Sequence, residues 1–510
     1  MKHCILFSDM SYSYWIRRSS GIYRVATIMR ELDWKVDTID FVSKWDFSTL
    51  TEGLDRIITD DTKFFGFSSN FTLFGVYSKL IEYLKTKYPD KKFIAGGQRE
   101  HNLNAGMDVY LHGFSEVSLP LTLDWLFNNG PAPRFLKQTN NAVLIDGYDH
   151  YPANNYDSYV VNYQQDDCIQ PYEVLTIEIA RGCPFKCKFC SFPYIGMKNI
   201  KNVTKENLRN ELNENYEKYR IKNYILADDT FNDRNEKIEL LAEIVDSLSF
   251  KPNFGAMMRI ELLATRPEQI ELLQKARVWA HCYGIESFTR EAAAAMGKGM
   301  DPLLIKETLL TIKEKFNKNL GLYRGTISLI AGLPFETPDN WQETQEWLLA
   351  NWQDNSWYWF PLAIYKTKIE DSKNRSFLMD YWQNYDYDVM EDTENMESVL
   401  LSDVFPHIKK FLNNIDNIPK ITLNKEKTYS PNMLRWKNQY IDYVSVLEWC
   451  MNYYLRLENK LWWFHILEFT DQYTRKELVE LDYRWYYKQQ PEKTYLIDPY
   501  LKSKATYLYG

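Results

Sequence analysis

Along residues 1–165, short apolar runs alternate with longer stretches whose apolar positions follow a helical period. The run Cys4-Ile5-Leu6-Phe7-Ser8 predicts a strand, and residues 21–33 predict a helix with Ile22, Val25, Ile28, Met29 and Leu32 on one face. Further strands are expected at VDTIDFV (36–42), FFGFSS (64–69) and KFIAGG (92–97), with a helix through Leu80, Ile81 and Leu84 between the last two. This alternation is that of an α/β domain, a Rossmann-like open parallel sheet. It lacks a GxGxxG run, so NAD or FAD binding has little support.

Residues 131–170 are rich in Asn, Asp, Pro and Tyr and are expected to form a linker with local structure. A second alternating series follows. Its strands are expected at EVLTIEIA (173–180), NYILA (223–227), NFGAMM (253–258), HCYGI (281–285), GTISLIA (325–331) and WYWFPLAI (357–364). Thr204 is placed to cap a helix carrying Leu208 and Leu212. Asp233 stands near the start of another, with Ile238, Leu241, Ile244, Val245 and Leu248. Asp301-Pro302 and Thr337-Pro338 open two more, with proline at the first helical position. Six strands joined by helical crossovers curl into a partial (β/α)6 barrel, two strands short of a closed one. Beyond residue 370 the strand alternation stops, and charged and aromatic residues mix in patterns such as LWWFHILEF. The expected organisation is therefore a Rossmann-like domain and linker at 1–165, a partial barrel at 166–370, and a mostly helical, aromatic-rich region at 371–510.

A length of 510 residues suits two or three domains, and 45% hydrophobic with 25% charged residues suits large buried cores. A net charge of -8 argues against a broad nucleic-acid footprint. Trp449, Trp462, Trp463, Phe464 and Trp485 suggest base stacking, but aromatic residues at helical spacing more often pack a core or a lid. No apolar run reaches membrane-spanning length, and MKHCILFSDM is too short before Asp9 for a signal peptide. The seven cysteines include three within residues 183–190. That spacing is unlike a secreted disulfide framework and points to a metal site in a reducing, cytoplasmic setting.

Those three lie in RGCPFKCKFCSF (181–192), a C-x3-C-x2-C run directly after the first expected barrel strand. Close spacing lets one loop wrap one iron–sulfur cube with soft thiolate ligands. Cys183, Cys187 and Cys190 would hold three irons and leave the fourth open, a reactive arrangement. A zinc site is the alternative, although no fourth Cys or His follows at short spacing.

The loop, including Phe189 before the third cysteine, resembles that of the radical S-adenosylmethionine (SAM) superfamily. The resemblance implies a [4Fe–4S] cluster whose open iron chelates SAM. It also implies reductive cleavage of SAM to a 5′-deoxyadenosyl radical, which abstracts hydrogen from a substrate the sequence does not identify. An electron donor such as flavodoxin or ferredoxin would be needed. Ligand sites on such barrels collect at the carboxyl ends of the strands. Those ends carry the cysteine loop, Asp228-Asp229-Thr230-Phe231, Arg259, Glu286-Ser287 and Gly332-Leu333-Pro334. By the resemblance, Asp228, Asp229, Glu286 and Ser287 bind the SAM amino group and ribose, and Gly332 lets the backbone approach the adenine. Phe189 and Arg259 join this cofactor-binding set. Bland readings stand beside these: a helix cap for Asp228-Asp229, an ion pair between Glu286 and Arg259, and a turn at Gly332. Phe335 departs from the family, which usually has glycine there.

The pairing of an open α/β domain with this barrel resembles the cobalamin-dependent branch of the family, through GFSS (66–69), AGG (95–97) and HGFSE (112–116). That implies Ser68, Ser69, Gly96 and Gly97 near a cobalamin tail. The D-x-H-x-x-G motif of many cobalamin proteins is missing. Two readings follow: cobalamin held without a histidine ligand, with methyl transfer as the reaction, or a scaffold that has lost the cofactor. Cys4, Cys168, Cys282 and Cys450 are scattered singly, which argues against a second cluster and against methylthio transfer. A non-catalytic electron carrier or sensor using the same cluster is the competing class.

Overall fold

The computed structural model describes residues 1–10, 18–68, 74–97, 106–134, 136–138, 142–147, 160–171, 173–195, 201–320, 323–352, 355–362, 376–385, 387–389, 434–436 and 497–509. In chain order the first elements are β1 (His3–Phe7), α1 (Ser20–Glu31), β2 (Lys35–Ile39), α2 (Phe47–Ile57), β3 (Thr62–Ser68), α3 (Ser78–Lys87) and β4 (Lys92–Gly97). Next come β5 (Val109–His112), α4 (Ser115–Phe127), β6 (Leu136–Gln138), β7 (Val143–Asp146) and β8 (Val174–Ile177). The cysteine segment holds β9 (Ala180–Arg181) and α5 (Phe192–Ile195), then β10 (Lys201–Asn202) and α6 (Lys205–Tyr219). The barrel series continues with β11 (Asn223–Leu226), α7 (Asn235–Ser247), β12 (Asn253–Met258), α8 (Ile260–Thr265), α9 (Glu268–Lys275) and β13 (Val278–Glu286). It ends with α10 (Arg290–Ala295), α11 (Pro302–Leu320), β14 (Arg324–Ala331), α12 (Pro338–Asn351) and β15 (Ser356–Pro361). Last come α13 (Phe377–Asp380), β16 (Tyr387–Val389), β17 (Leu434–Trp436) and α14 (Ile497–Tyr509).

The chain divides into two compact units, one of residues 1–178, 201–223 and 492–510, the other of 179–200 and 224–491. The first unit is built on a seven-stranded sheet ordered β2-β1-β3-β4-β5-β7-β6, parallel except for the β6–β7 hairpin. Its core is aromatic, with Phe7 stacked on Phe67 at 5.1 Å between ring centroids. Gly66 has no room for a side chain, because a Cβ there would stand 2.5 Å from Leu6 Cδ2. Arg18 is fully buried between Asp40 and Glu173, and its guanidinium lies 4.2 Å above the Tyr500 ring. Tyr500, Tyr507 and Tyr509 thereby tie α14 to this unit. The Tyr500 hydroxyl accepts from the Asp40 amide at 2.9 Å, and the Tyr507 and Tyr509 hydroxyls donate to Asp37 and to the Thr49 carbonyl, each at 2.6 Å.

The second sheet has six strands in the order β15-β14-β13-β12-β11-β8, an open partial barrel. Its β12–β13, β13–β14 and β14–β15 pairs are all parallel. The expected helix starts hold. Thr204 accepts from the Asn207 amide at 3.2 Å, Asp301 from the Leu303 amide at 2.8 Å, and Thr337 forms a capping box with Asn340.

One feature differs from the sequence reading. Residues 131–170 are more than a linker: the short apolar run Val143–Ile145 forms β7 and joins the first sheet beside β5. Beyond residue 370 the described residues hold α13, the antiparallel β16–β17 hairpin and α14, which belongs to the first unit. Trp449, Trp462, Trp463, Phe464 and Trp485 lie outside the described residues. Among the described residues no helix is long and apolar enough to cross a membrane.

Candidate active site

The cysteine loop leaves β9 through Gly182, whose φ of +113° favours a residue without a side chain. The loop then folds on itself, the Cys190 amide donating to the Cys187 carbonyl at 3.1 Å and the Phe192 amide to Cys190 Sγ at 3.3 Å. It is held from outside by the Lys188 amide, which donates to the Met296 carbonyl at 3.2 Å. Cys183 Sγ lies 3.7 Å from Thr230 Oγ1. Arg259 Nη1 donates to Cys187 Sγ at 3.3 Å.

Burial raises the Cys183 thiol above its ordinary pKa and pushes Cys190 up to about 12, and the neighbouring thiols and Asp229 push both the same way. Cys183 and Cys190 therefore resist ionising unless positive charge is brought beside them, as iron would bring it. Soft donors, crowding and half-burial fit a [4Fe–4S] cluster held by Cys183, Cys187 and Cys190.

The residues at the strand ends divide into braces and exposed groups. Asp228 is buried and fully engaged: it accepts from the Ile179 and Ala180 amides at 2.9 and 3.1 Å and pairs with Lys237 at 3.1 Å. It therefore ties the end of β11 to the backbone entering the cysteine loop, and it caps no helix. Asp229, beside it, is exposed and close enough to the thiols to raise their pKa values.

Glu286 ends β13 with a φ of +68°, a strained conformation for a side chain of its size. Its partner is Lys298 at 3.3 Å, whereas Arg259 pairs with Glu261 at 3.0 Å. The alternative of a Glu286–Arg259 pair is thus replaced by two separate ones. Lys298 Nζ also stands 6.0 Å from the Phe189 ring centre. Ser287 donates its hydroxyl to Glu336, which also accepts from the amides of Gly332 at 3.2 Å and Leu333 at 3.1 Å and from Trp341 Nε1 at 2.9 Å. Burial pushes Glu336 up to about 7, against four donors that favour its carboxylate. Gly332 turns at φ +96°, and Phe335 holds a φ of +68° with 63% of its surface exposed.

Lys237, Lys298, Glu261 and Glu336 escaped the sequence reading. Only Lys237 left a trace, four residues after Asp233, with which it pairs at 2.6 Å.

In the first unit the order β2-β1-β3-β4-β5 reverses direction between β1 and β3, the point where open α/β sheets bind ligands beyond their strand ends. Ser68 ends β3, and Gly96 and Gly97 end β4, with Gly97 at φ +149°. Ser69 lies outside the described residues.

Residues 177–348 match the family described as the radical SAM superfamily. Among curated relatives, the hopanoid C-2 methylase of Rhodopseudomonas palustris is 28% identical over 194 residues, covering 37% of this chain and 34% of its own length. An uncharacterized methyltransferase of Pyrococcus horikoshii is 26% identical over 216 residues, covering 42% of each chain. The match thus spans well under half the length of either relative. Among solved structures, the radical S-adenosylmethionine methyltransferase TsrM from Kitasatospora setae, with cobalamin and a [4Fe–4S] cluster bound, is similar with a TM-score of 0.56 at 12% identity. That likeness covers 71% of this chain and 76% of TsrM, and so extends beyond residues 177–348. A likeness at that identity is one of fold. Together with the cysteine loop and the six-stranded sheet, the family match gives the likeness its place: residues 177–348, about a third of the chain, are similar to the radical SAM superfamily.

Proposed function

We propose that this chain is a radical SAM enzyme that holds one [4Fe–4S] cluster through Cys183, Cys187 and Cys190. The observation that carries the reading is the cysteine loop at a strand end, braced by Asp228 and contacted at Cys187 Sγ by Arg259. The bound cluster would supply the electron that cleaves SAM to a 5′-deoxyadenosyl radical. The protein's part is positioning. Asp228 and Lys237 fix the loop's entry, Glu336 fixes the turn after β14 and the Ser287 hydroxyl beside it, and Asp229 offers an exposed carboxylate to the SAM amino group. Phe189, Glu286 and Gly332 line the same carboxyl ends. The reading implies a substrate, an electron donor of the flavodoxin or ferredoxin type, and a reducing, cytoplasmic setting. Anaerobic reconstitution followed by dithionite and SAM should yield 5′-deoxyadenosine and methionine in the wild type and neither in Cys187→Ala. A cluster-loaded wild type that yields neither product contradicts it.

A second reading, cobalamin-dependent methyl transfer, draws on the first unit. Its strand order turns at β1/β3, and the small residues Ser68, Gly96 and Gly97 stand at the ends of β3 and β4, the side of such a sheet on which ligands bind. TsrM has the same general fold, and its structure holds cobalamin. When bound, cobalamin would carry the methyl group. A corrinoid absorbance spectrum after purification from cobalamin-supplemented cells supports this reading. A chain that takes up no hydroxocobalamin removes it.

A further inference from the structure

Arg259 is placed with more care than a ligand-binding arginine at a strand end requires. Its backbone is gripped from both sides by the fully buried Asn232: the Arg259 amide donates to Asn232 Oδ1 at 2.9 Å, and its carbonyl accepts from Asn232 Nδ2 at 2.9 Å. Asn232 is locked in turn by the fully buried Gln269, whose Nε2 donates to the Asn232 carbonyl at 3.2 Å. From this anchored backbone the side chain runs under the cysteine loop. The guanidinium carbon lies 4.0 Å from the centre of the Phe185 ring, Nη2 pairs with Glu261 at 3.0 Å, and Nη1 reaches Cys187 Sγ at 3.3 Å. The side chain is 11% exposed, so the contact is made largely out of water.

We propose that Arg259 is a positioning residue that tunes the cluster electrostatically through Cys187, rather than a ligand of SAM. This rests on the reading that Cys187 is a cluster thiolate. An N–H donated to a cluster sulfur draws electron density from it and favours the state carrying the extra electron, which raises the reduction potential. The Phe185 ring holds the guanidinium plane in register with the loop. Glu261 offsets part of the positive charge and so limits the effect. The chain Gln269–Asn232–Arg259–Cys187 thus carries rigid backbone geometry to one thiolate.

The inference predicts two shifts of opposite sign. Full-length wild type, Arg259→Met and Glu261→Gln are reconstituted anaerobically and titrated redox-wise by electron paramagnetic resonance without SAM, with iron and sulfide measured in each. Arg259→Met should move the midpoint potential to more negative values at unchanged iron and sulfide content. Glu261→Gln, which keeps a hydrogen-bond acceptor but removes the opposing charge, should move it to more positive values. A merely structural role for either residue would not give shifts of opposite sign. If Arg259→Met fails to assemble a cluster, the Glu261→Gln shift decides alone. A cluster-loaded wild type whose potential is moved by neither substitution, or moved the same way by both, overturns this inference and leaves the enzyme reading intact. A wild type that binds no cluster through its three cysteines overturns the enzyme reading and this inference with it.

Discussion

Both units present buried charges at the carboxyl ends of a parallel sheet, but they treat them differently. In the first unit Arg18 is met on every side, by Asp40, Glu173, the Tyr23 hydroxyl and the carbonyls of Asp167 and Cys168. In the second, the braces Asp228–Lys237, Glu286–Lys298 and Glu336–Ser287 surround a centre that is not satisfied by the protein alone. Three thiols are crowded there, two of them held neutral by burial. Arg259 Nε and Glu261 Oε2 are buried without hydrogen-bond partners among the described residues. A closed polar network stabilises and specifies a fold, whereas buried polar atoms left over at strand ends mark a site made for something else.

The comparison can be broken by substitution. Arg18→Met leaves Asp40 and Glu173 buried without their cation and should cost about 3–5 kcal/mol in denaturant unfolding, with iron content per folded chain unchanged. A loss of cluster in this variant would show that the two networks are not independent.

Asp228→Asn should cost less, about 1–3 kcal/mol, because the amide keeps one acceptor for the Ile179 and Ala180 amides while Lys237 loses its charge partner there. Its larger effect should fall on cluster retention, measured as iron lost during anaerobic gel filtration. Wild-type retention would show that the brace does not position the loop.

Glu336 gives a pH-dependent test. Its pKa is raised from 4.5 to about 7, mainly by burial, so its contribution to stability is present below about pH 4.5 and is lost as pH rises through about 7. The stability difference between wild type and Glu336→Gln should therefore shrink across that window. A flat difference would mean that the donors Ser287, Gly332, Leu333 and Trp341 hold it ionised throughout.

The smallest effect is expected at Phe335. A side chain at φ +68° on an exposed turn is strained, so Phe335→Gly should stabilise the fold by about 1 kcal/mol in thermal unfolding. A loss of stability instead would show that the exposed ring packs against the fold more than its 63% exposure suggests.

How legible these features were depended on the range of the interaction that makes them. The cysteine loop was plain because its three ligands sit on one short segment. The caps at Thr204, Asp301 and Thr337 were equally plain, since each closes within three residues. The barrel strands stood out through their apolar runs. What escaped was non-local: Lys298 reaches Glu286 across twelve residues, and Ser287 reaches Glu336 across forty-nine. Nothing in the composition of either segment signals such a pairing. The alternative Glu286–Arg259 pair failed for the opposite reason, as Glu261, two residues from Arg259, is the local partner. Strand β7 was hidden because a three-residue apolar run carries little periodicity of its own.

The central claim is that Cys183, Cys187 and Cys190 hold a single cluster with an iron open to SAM. It is tested most directly by the electron paramagnetic resonance spectrum of the reduced, reconstituted chain before and after SAM is added. The account predicts one reduced [4Fe–4S] signal that changes its g-values on SAM binding and is absent from Cys187→Ala. A signal indifferent to SAM would contradict it and leave an electron carrier or sensor in its place.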